Sequence, residues 1–211
     1  MKQKIPCFCD NVFEVDIPQE IDLDKNSEYL SEIQDGTFLN FTCPGCSKKH
    51  KPEFPISVIW PSKQLNFQVF PELERGDFYR KKTPPDAKNP APAETIIGYP
   101  ELADRLAVVR DGFEPAAVEA IKYFLHLKAE EQYPDDEIDI WYNGSTGTEG
   151  SLRFHIHGIR ENEVAVMNVP LSVYQKTLAD YTKHPKNETF SVLRVRSYLS
   201  VKNAMRPEEL K

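Results

Sequence analysis

The chain has little cysteine, no net positive charge and no long apolar run. No stretch approaches the roughly 20 apolar residues that a bilayer-spanning helix needs, so the sequence predicts no membrane partner. The start, Met1-Lys2-Gln3-Lys4-Ile5-Pro6, lacks the apolar core of a signal peptide. The expected location is therefore cytoplasmic, where thiols stay reduced. Several catalytic signatures are missing as well. Ser145-Thr146-Gly147-Thr148 lacks the spacing of a phosphate-cradling loop, and neither a dinucleotide fingerprint nor a hydrolase nucleophile elbow is present. Lys and Arg number 26 against 33 Asp and Glu, a net charge of −7. That balance argues against the electrostatic footprint of a nucleic-acid binder. An enzyme is the less favoured class on these grounds.

What is present centres on the four cysteines, in two close pairs: Cys7-Phe8-Cys9 and Cys43-Pro44-Gly45-Cys46. Zinc takes four ligands at tetrahedral corners, and thiolates suit it. A close pair in a turn aims two sulfurs the same way, and a second pair brought back by a hairpin completes the shell. Proline and glycine make the second pair a good knuckle, because one fixes a backbone angle and the other relaxes the next. The first pair is tighter. The 33 residues between Cys9 and Cys43 exceed the usual ribbon spacing but leave room for two strands and a helix. Two disulfides would suit a secreted chain. Redox thiols and an iron–sulfur cluster stay open as alternatives to Zn2+.

The surrounding pattern predicts an α+β fold: a zinc-ribbon-like β module over 1–75, a Pro-rich linker or long loop over 76–98, and an α+β domain with an antiparallel sheet over 99–211. Phe13, Val15 and Ile17 alternate with acids as a half-buried strand. Tyr29, Leu30 and Ile33 mark a short helix, and Thr37 to Thr42 reads as a strand running into Cys43. Ile56–Trp60 and Leu65–Phe70 form a hairpin that extends the ribbon sheet. Leu102, Leu106 and Val109 share one helix face, after Pro100 at a first turn. Asp111 with Glu114 fits a capping box, followed by the stripe Val118, Ile121, Phe124, Leu125 and Ala129. Ile138, Ile140 and Tyr142, then Leu152, Phe154 and Ile156, alternate as strands around the turn signal Asn143-Gly144, although Ser145 to Gly150 suggests a longer loop. Val164–Asn168 is a further strand, Leu171–Tyr181 a helix with Val173, Tyr174 and Leu178 inward, and Phe190–Val201 fits a helical period better than a strand.

The chain resembles the CpXC family, bacterial and archaeal proteins named for their cysteine motifs. The resemblance rests on Ile5-Pro6-Cys7-Phe8-Cys9 with Phe13, and on Gly36 to Cys46. It continues through Glu101-Leu102-Ala103-Asp104-Arg105-Leu106, Asp111-Gly112-Phe113 and Glu119-Ala120-Ile121-Lys122. It implies metal binding and carries no activity over. The first pair departs from the family pattern: it lacks a proline and is one residue short of Cys-x-x-Cys.

Two further sites are candidates. His155 and His157 lie two apart on a strand, so both imidazoles face one way; the bland alternative is the solvent face of an antiparallel sheet. Lys48-Lys49-His50-Lys51 is a short basic patch beside the second knuckle. The expected function is a zinc-binding interaction or scaffold module with a protein partner. The alternative is a nucleic-acid-associated zinc ribbon in transcription or translation.

Overall fold

Residues 1–80, 93–134, 136–146 and 150–206 are described in the computed structural model. Helices mix with several sheets in an α+β arrangement, as the pattern predicts. The chain divides into two units, Met1–Ala103 and Asp104–Lys211.

In the first unit, alternation builds β1 (Lys2–Pro6) and β2 (Val12–Asp16), an antiparallel pair with Lys2 opposite Asp16 and Pro6 opposite Val12. Ile5, Val15 and Ile17 point inward. Pro18 ends this run, and β3 (Glu20–Asp22) and α1 (Glu28–Gln34) follow. Only Ile33 of α1 is fully buried. The segment from Thr37 to Thr42 departs from the expected strand. Leu39 takes a left-handed φ of 52°, which breaks the extended run and leaves only β4 (Phe41–Thr42) paired antiparallel with β5 (Lys49–His50).

The hairpin of β6 (Ile56–Trp60) and β7 (Leu65–Phe70) forms as predicted. It does not extend the cysteine-bearing ribbons. It pairs instead with β3, parallel to β6, and with β8 (Glu94–Ile97), parallel to β7; α2 (Arg75–Arg80) intervenes in sequence. The reason is apolar content: Ile21, Val58, Phe67, Val69, Ile96 and Ile97 are all buried to within 1%. Val58 in β6, and Phe67 with Val69 in β7, bury one face of their strands, while Ile96 and Ile97 bury both faces of β8. Thus 76–80 and 94–97, expected within the linker, are a helix that buries Phe78 and a core strand. The Pro-rich part of that linker, 81–92, lies outside the described residues.

α3 (Tyr99–Arg110) begins in the first unit and ends in the second. Leu102 and Leu106 are buried, joined by Val108 in place of the expected Val109. Gly112, at φ +80°, ends that turn. Asp111 therefore closes α3 and accepts from Tyr142 Oη at 2.7 Å. The residue that caps α4 (Pro115–Gln132) is Glu114, whose carboxylate accepts from Ala116 N at 3.3 Å. Val118, Ile121 and Ala129 of the α4 stripe are buried, while Phe124 is 46% exposed.

The predicted antiparallel sheet is β9 (Asp139–Thr146), β10 (Ser151–His157) and β11 (Ala165–Pro170), in the order β9-β10-β11. Its inner residues Ile138, Ile140, Tyr142, Leu152, Phe154 and Ile156 pack with Val118 and Ile121 of α4 and with Tyr174 of α5 (Leu171–Lys183). Val173, expected inward on α5, is 44% exposed. Asn143-Gly144 makes no turn: Leu152 faces Ser145 and Phe154 faces Tyr142, so two residues oppose Arg153 in a bulge, with Gly144 at φ +91°. The helix expected over Phe190–Val201 is only α6 (Glu188–Val192). A left-handed Arg196, at φ 56°, then turns β12 (Arg194–Val195) back along β13 (Tyr198–Leu199).

Candidate metal centre

Each cysteine pair sits in the turn of a short hairpin. Cys7 N donates to Asn11 O at 2.9 Å and Asp10 N to Cys7 O at 3.0 Å, closing the loop between β1 and β2. Asp10 supplies the left-handed residue, at φ 62°. Acids with short side chains tolerate that conformation better than most. Between β4 and β5, Cys43 N donates to Lys48 O and Ser47 N to Cys43 O, both at 2.9 Å, with Ser47 left-handed at φ 59°.

The two loops bring all four sulfurs within 4.8 Å of one another. Cys7 Sγ lies 3.5 Å from Cys46 Sγ, and Cys9 Sγ 3.7 Å from Cys43 Sγ. A disulfide needs about 2.05 Å, and all four thiols are free. Four sulfurs at about 2.3 Å from one tetrahedral ion would stand about 3.8 Å apart, so the two close edges already have that scale. Each pair offers one buried sulfur, Cys7 or Cys43, and one exposed, Cys9 or Cys46. The donor set fits a thiophilic ion, and the sequence-predicted ligands are together.

Neighbouring donors set the charge of the sulfurs. Asn11 Nδ2 donates to Cys43 Sγ at 3.5 Å, and Gly45 N donates to it at 3.4 Å. The Asn11 amide foremost, with the Gly45 and Cys46 amides, holds the Cys43 thiol down at about 6 against its burial. The Lys48 amide acts to lower the Cys46 thiol, but the sulfurs of Cys9, Cys7 and Cys43, together with burial, push it up to about 12. The two shifts run in opposite directions, so the surroundings favour a thiolate at Cys43 over one at Cys46.

His50 was not legible as part of this centre in the sequence, where it sits inside a basic patch. Its Nε2 lies 3.1 Å from Cys7 Sγ. At the tip of the first loop Phe8 is 86% exposed, with Lys48 Nζ 4.2 Å above its ring.

His155 and His157 do share one face of β10, their ring centroids 6.4 Å apart. Among the described residues, the cysteines are the group of three or more His, Cys, Asp or Glu placed to share an ion, and the two histidines have no third partner of that kind. Burial, then the charges of His157 and Arg153, lower the His155 pKa, as expected for cations crowded on a sheet face.

A second polar cluster went unread in the sequence. Lys122 donates to Asp104 and, at 2.8 Å, to Glu119 Oε1. Asp104 Oδ1 accepts from Tyr142 N at 2.6 Å, and Glu119 Oε2 from Val201 N at 2.7 Å. Arg105 Nη2 donates to Leu199 O at 2.7 Å and lies 3.8 Å from Glu119. All four charged residues are buried. The available signal was helical phase: Lys122 falls four residues after Val118, on the apolar stripe itself.

A family model described as CpXC protein matches residues 5–122, a span that holds the four cysteines, His50 and the four buried charges. An "Uncharacterized protein" of Treponema pallidum (strain Nichols) is 31% identical over 219 residues, covering 95% of this chain and 97% of that protein. No solved structure matches. With its cysteine loops inside the matched span and a relative that runs nearly its whole length, the chain belongs to the CpXC family.

Proposed function

We propose that the chain binds one Zn2+ through Cys7, Cys9, Cys43 and Cys46, and that this zinc-ribbon-like centre is a structural clasp in a cytoplasmic interaction or scaffold protein whose partner is another protein. The observation that carries the reading is the set of four free thiols from two facing hairpin turns, all within 4.8 Å. Zinc there would supply four thiolate bonds and no redox chemistry, and a shell closed by four protein ligands leaves no position for a substrate. Residues of β1, β2, β4 and β5 would then depend on the ion for their order. Elemental analysis of the purified protein tests it: one zinc per chain, lost in Cys43→Ser, is expected, and a protein free of metal in both forms overturns the reading.

A second reading has one observation in its favour. The exposed Phe8 ring beneath Lys48 Nζ is the kind of stacking surface that single-stranded nucleic acid uses. The acidic total charge opposes it.

A further inference from the structure

We propose that His50 is a positioning residue of the thiolate centre, donating its Nε2–H to Cys7 Sγ. The inference rests on the zinc reading above. A thiolate bound to an ion has no proton to give, so the 3.1 Å contact requires the imidazole to be the donor. Several features aim the ring. β5 brings His50 opposite Phe41, and the Phe13 ring meets the imidazole edge-on with centroids 5.7 Å apart. His50 is not among the groups whose ligand atoms are mutually within 4.8 Å. It stands beside the shell, not in it.

The need for such a donor follows from the tight first loop. In the second knuckle the amide two residues on, Gly45 N, donates to Cys43 Sγ. The equivalent amide in the first loop is Cys9 N. Among the described residues, Cys7 Sγ meets Cys46 Sγ and His50 Nε2, and no backbone N–H of that loop donates to it. His50 takes that place. The result is a crossed arrangement of the two buried sulfurs. Asn11, after the first pair, donates to Cys43 of the second; His50, after the second pair, donates to Cys7 of the first. Each hairpin therefore fixes the other's buried ligand, and both donors disperse the charge of a dianionic four-thiolate zinc centre.

Zinc affinity by competition with a chromophoric chelator, together with absorption of the Co2+-substituted full-length protein, tests this. His50→Ala should still bind one metal per chain with tetrahedral Co2+ d–d bands, but about 10- to 100-fold more weakly. Its sulfur-to-cobalt charge-transfer band should move to lower energy, because an unbonded thiolate gives up its electron more easily. His50→Gln keeps an N–H donor and should recover part of both changes, which a purely packing role would not produce. Unchanged affinity and unchanged charge-transfer energy in both variants would overturn the proposal. So would zinc X-ray absorption showing a nitrogen ligand in the wild type that His50→Ala removes. A wild type that binds no metal defeats the zinc reading and this inference with it; a loaded wild type matched by its His50 variants defeats only the inference.

Discussion

Cys43 is 1% exposed and receives two hydrogen bonds on its sulfur, whereas Cys9 is exposed. Ligands differ in how much of the protein aims them, so the two losses should differ. Cys43→Ser should take zinc from about one ion per chain to near zero after dialysis against a mild chelator, while Cys9→Ser should still load at high zinc and lose the ion sooner on dilution. Elemental analysis across both variants checks the order. Lys122 makes a second residue-scale case. Its charge balances Asp104 and Glu119 inside a buried cluster, so Lys122→Met leaves two buried carboxylates with Arg105, 3.8 Å from Glu119, as the cation beside them. Breaking a buried pair from one side destabilises by about 3–5 kcal/mol, which urea unfolding at pH 7 would read. The pH dependence has a definite sign. In the wild type, burial lowers the Lys122 pKa but the Asp104 and Glu119 charges outweigh it and raise the value above 10.5, so this contribution is intact below 10.5 and lost as pH climbs through the folded value. Burial acts to raise Glu119, yet Lys122 and Arg105 hold it below 4.5, so its contribution is present above 4.5 and lost as pH falls through the folded value. Asp104 runs the other way: burial raises it above 3.8, which favours the folded state in acid. Without Lys122, protonation of Asp104 relieves the buried charge, and the gap between variant and wild type should narrow between pH 7 and pH 4.

At the scale of elements, the two cysteine hairpins are unequal to standing alone. β4 and β5 pair over two residues each, and two-stranded hairpins are marginal in water. The four-stranded run β3, β6, β7 and β8 holds its own buried apolar strands. Zinc removal should therefore raise amide hydrogen exchange over residues 38–50 and 2–16 well before it reaches 56–70. Equal loosening of both regions would show that the ion supports more than its own loops. The same contrast explains what the sequence made legible. Strands with clean alternation, such as Ile138 to Tyr142 and Leu152 to Ile156, were readable because one face meets a core and the other does not. The clustering of Cys7, Cys9, Cys43 and Cys46 was readable because thiol chemistry needs few residue types. What went unread depends on single backbone angles or on contacts distant in sequence. Leu39 and Arg196 adopt left-handed φ with no glycine to announce it. Asn143-Gly144, a strong turn pair, was absorbed as a bulge once β10 supplied a long partner. His50 joined a sulfur 43 residues away, a pairing that spacing cannot encode.

For the whole molecule, the relative's 97% coverage matters as much as its identity. Both units are matched together, so a function confined to the cysteine loops would leave most of the shared length without a role. The total charge bears on which partner that length serves. At −7, the chain repels polyanions at long range. Attraction near Phe8 would come chiefly from the short patch of Lys48, Lys49 and Lys51, and at 0.15 M salt the screening length is about 8 Å. Three lysines release few counterions, so any affinity would fall only gently with salt but start from a low value. Titration of random single-stranded RNA and DNA should therefore show no binding at 0.15 M salt and at most weak binding at 0.02 M. If binding at low salt does appear, Phe8→Ala separates its two sources: stacking on the exposed ring would be lost in the variant, whereas a diffuse lysine effect would persist. Tight, Phe8-dependent binding at 0.15 M would overturn the protein-partner reading in favour of a nucleic-acid one, since no diffuse field of this acidic chain accounts for it.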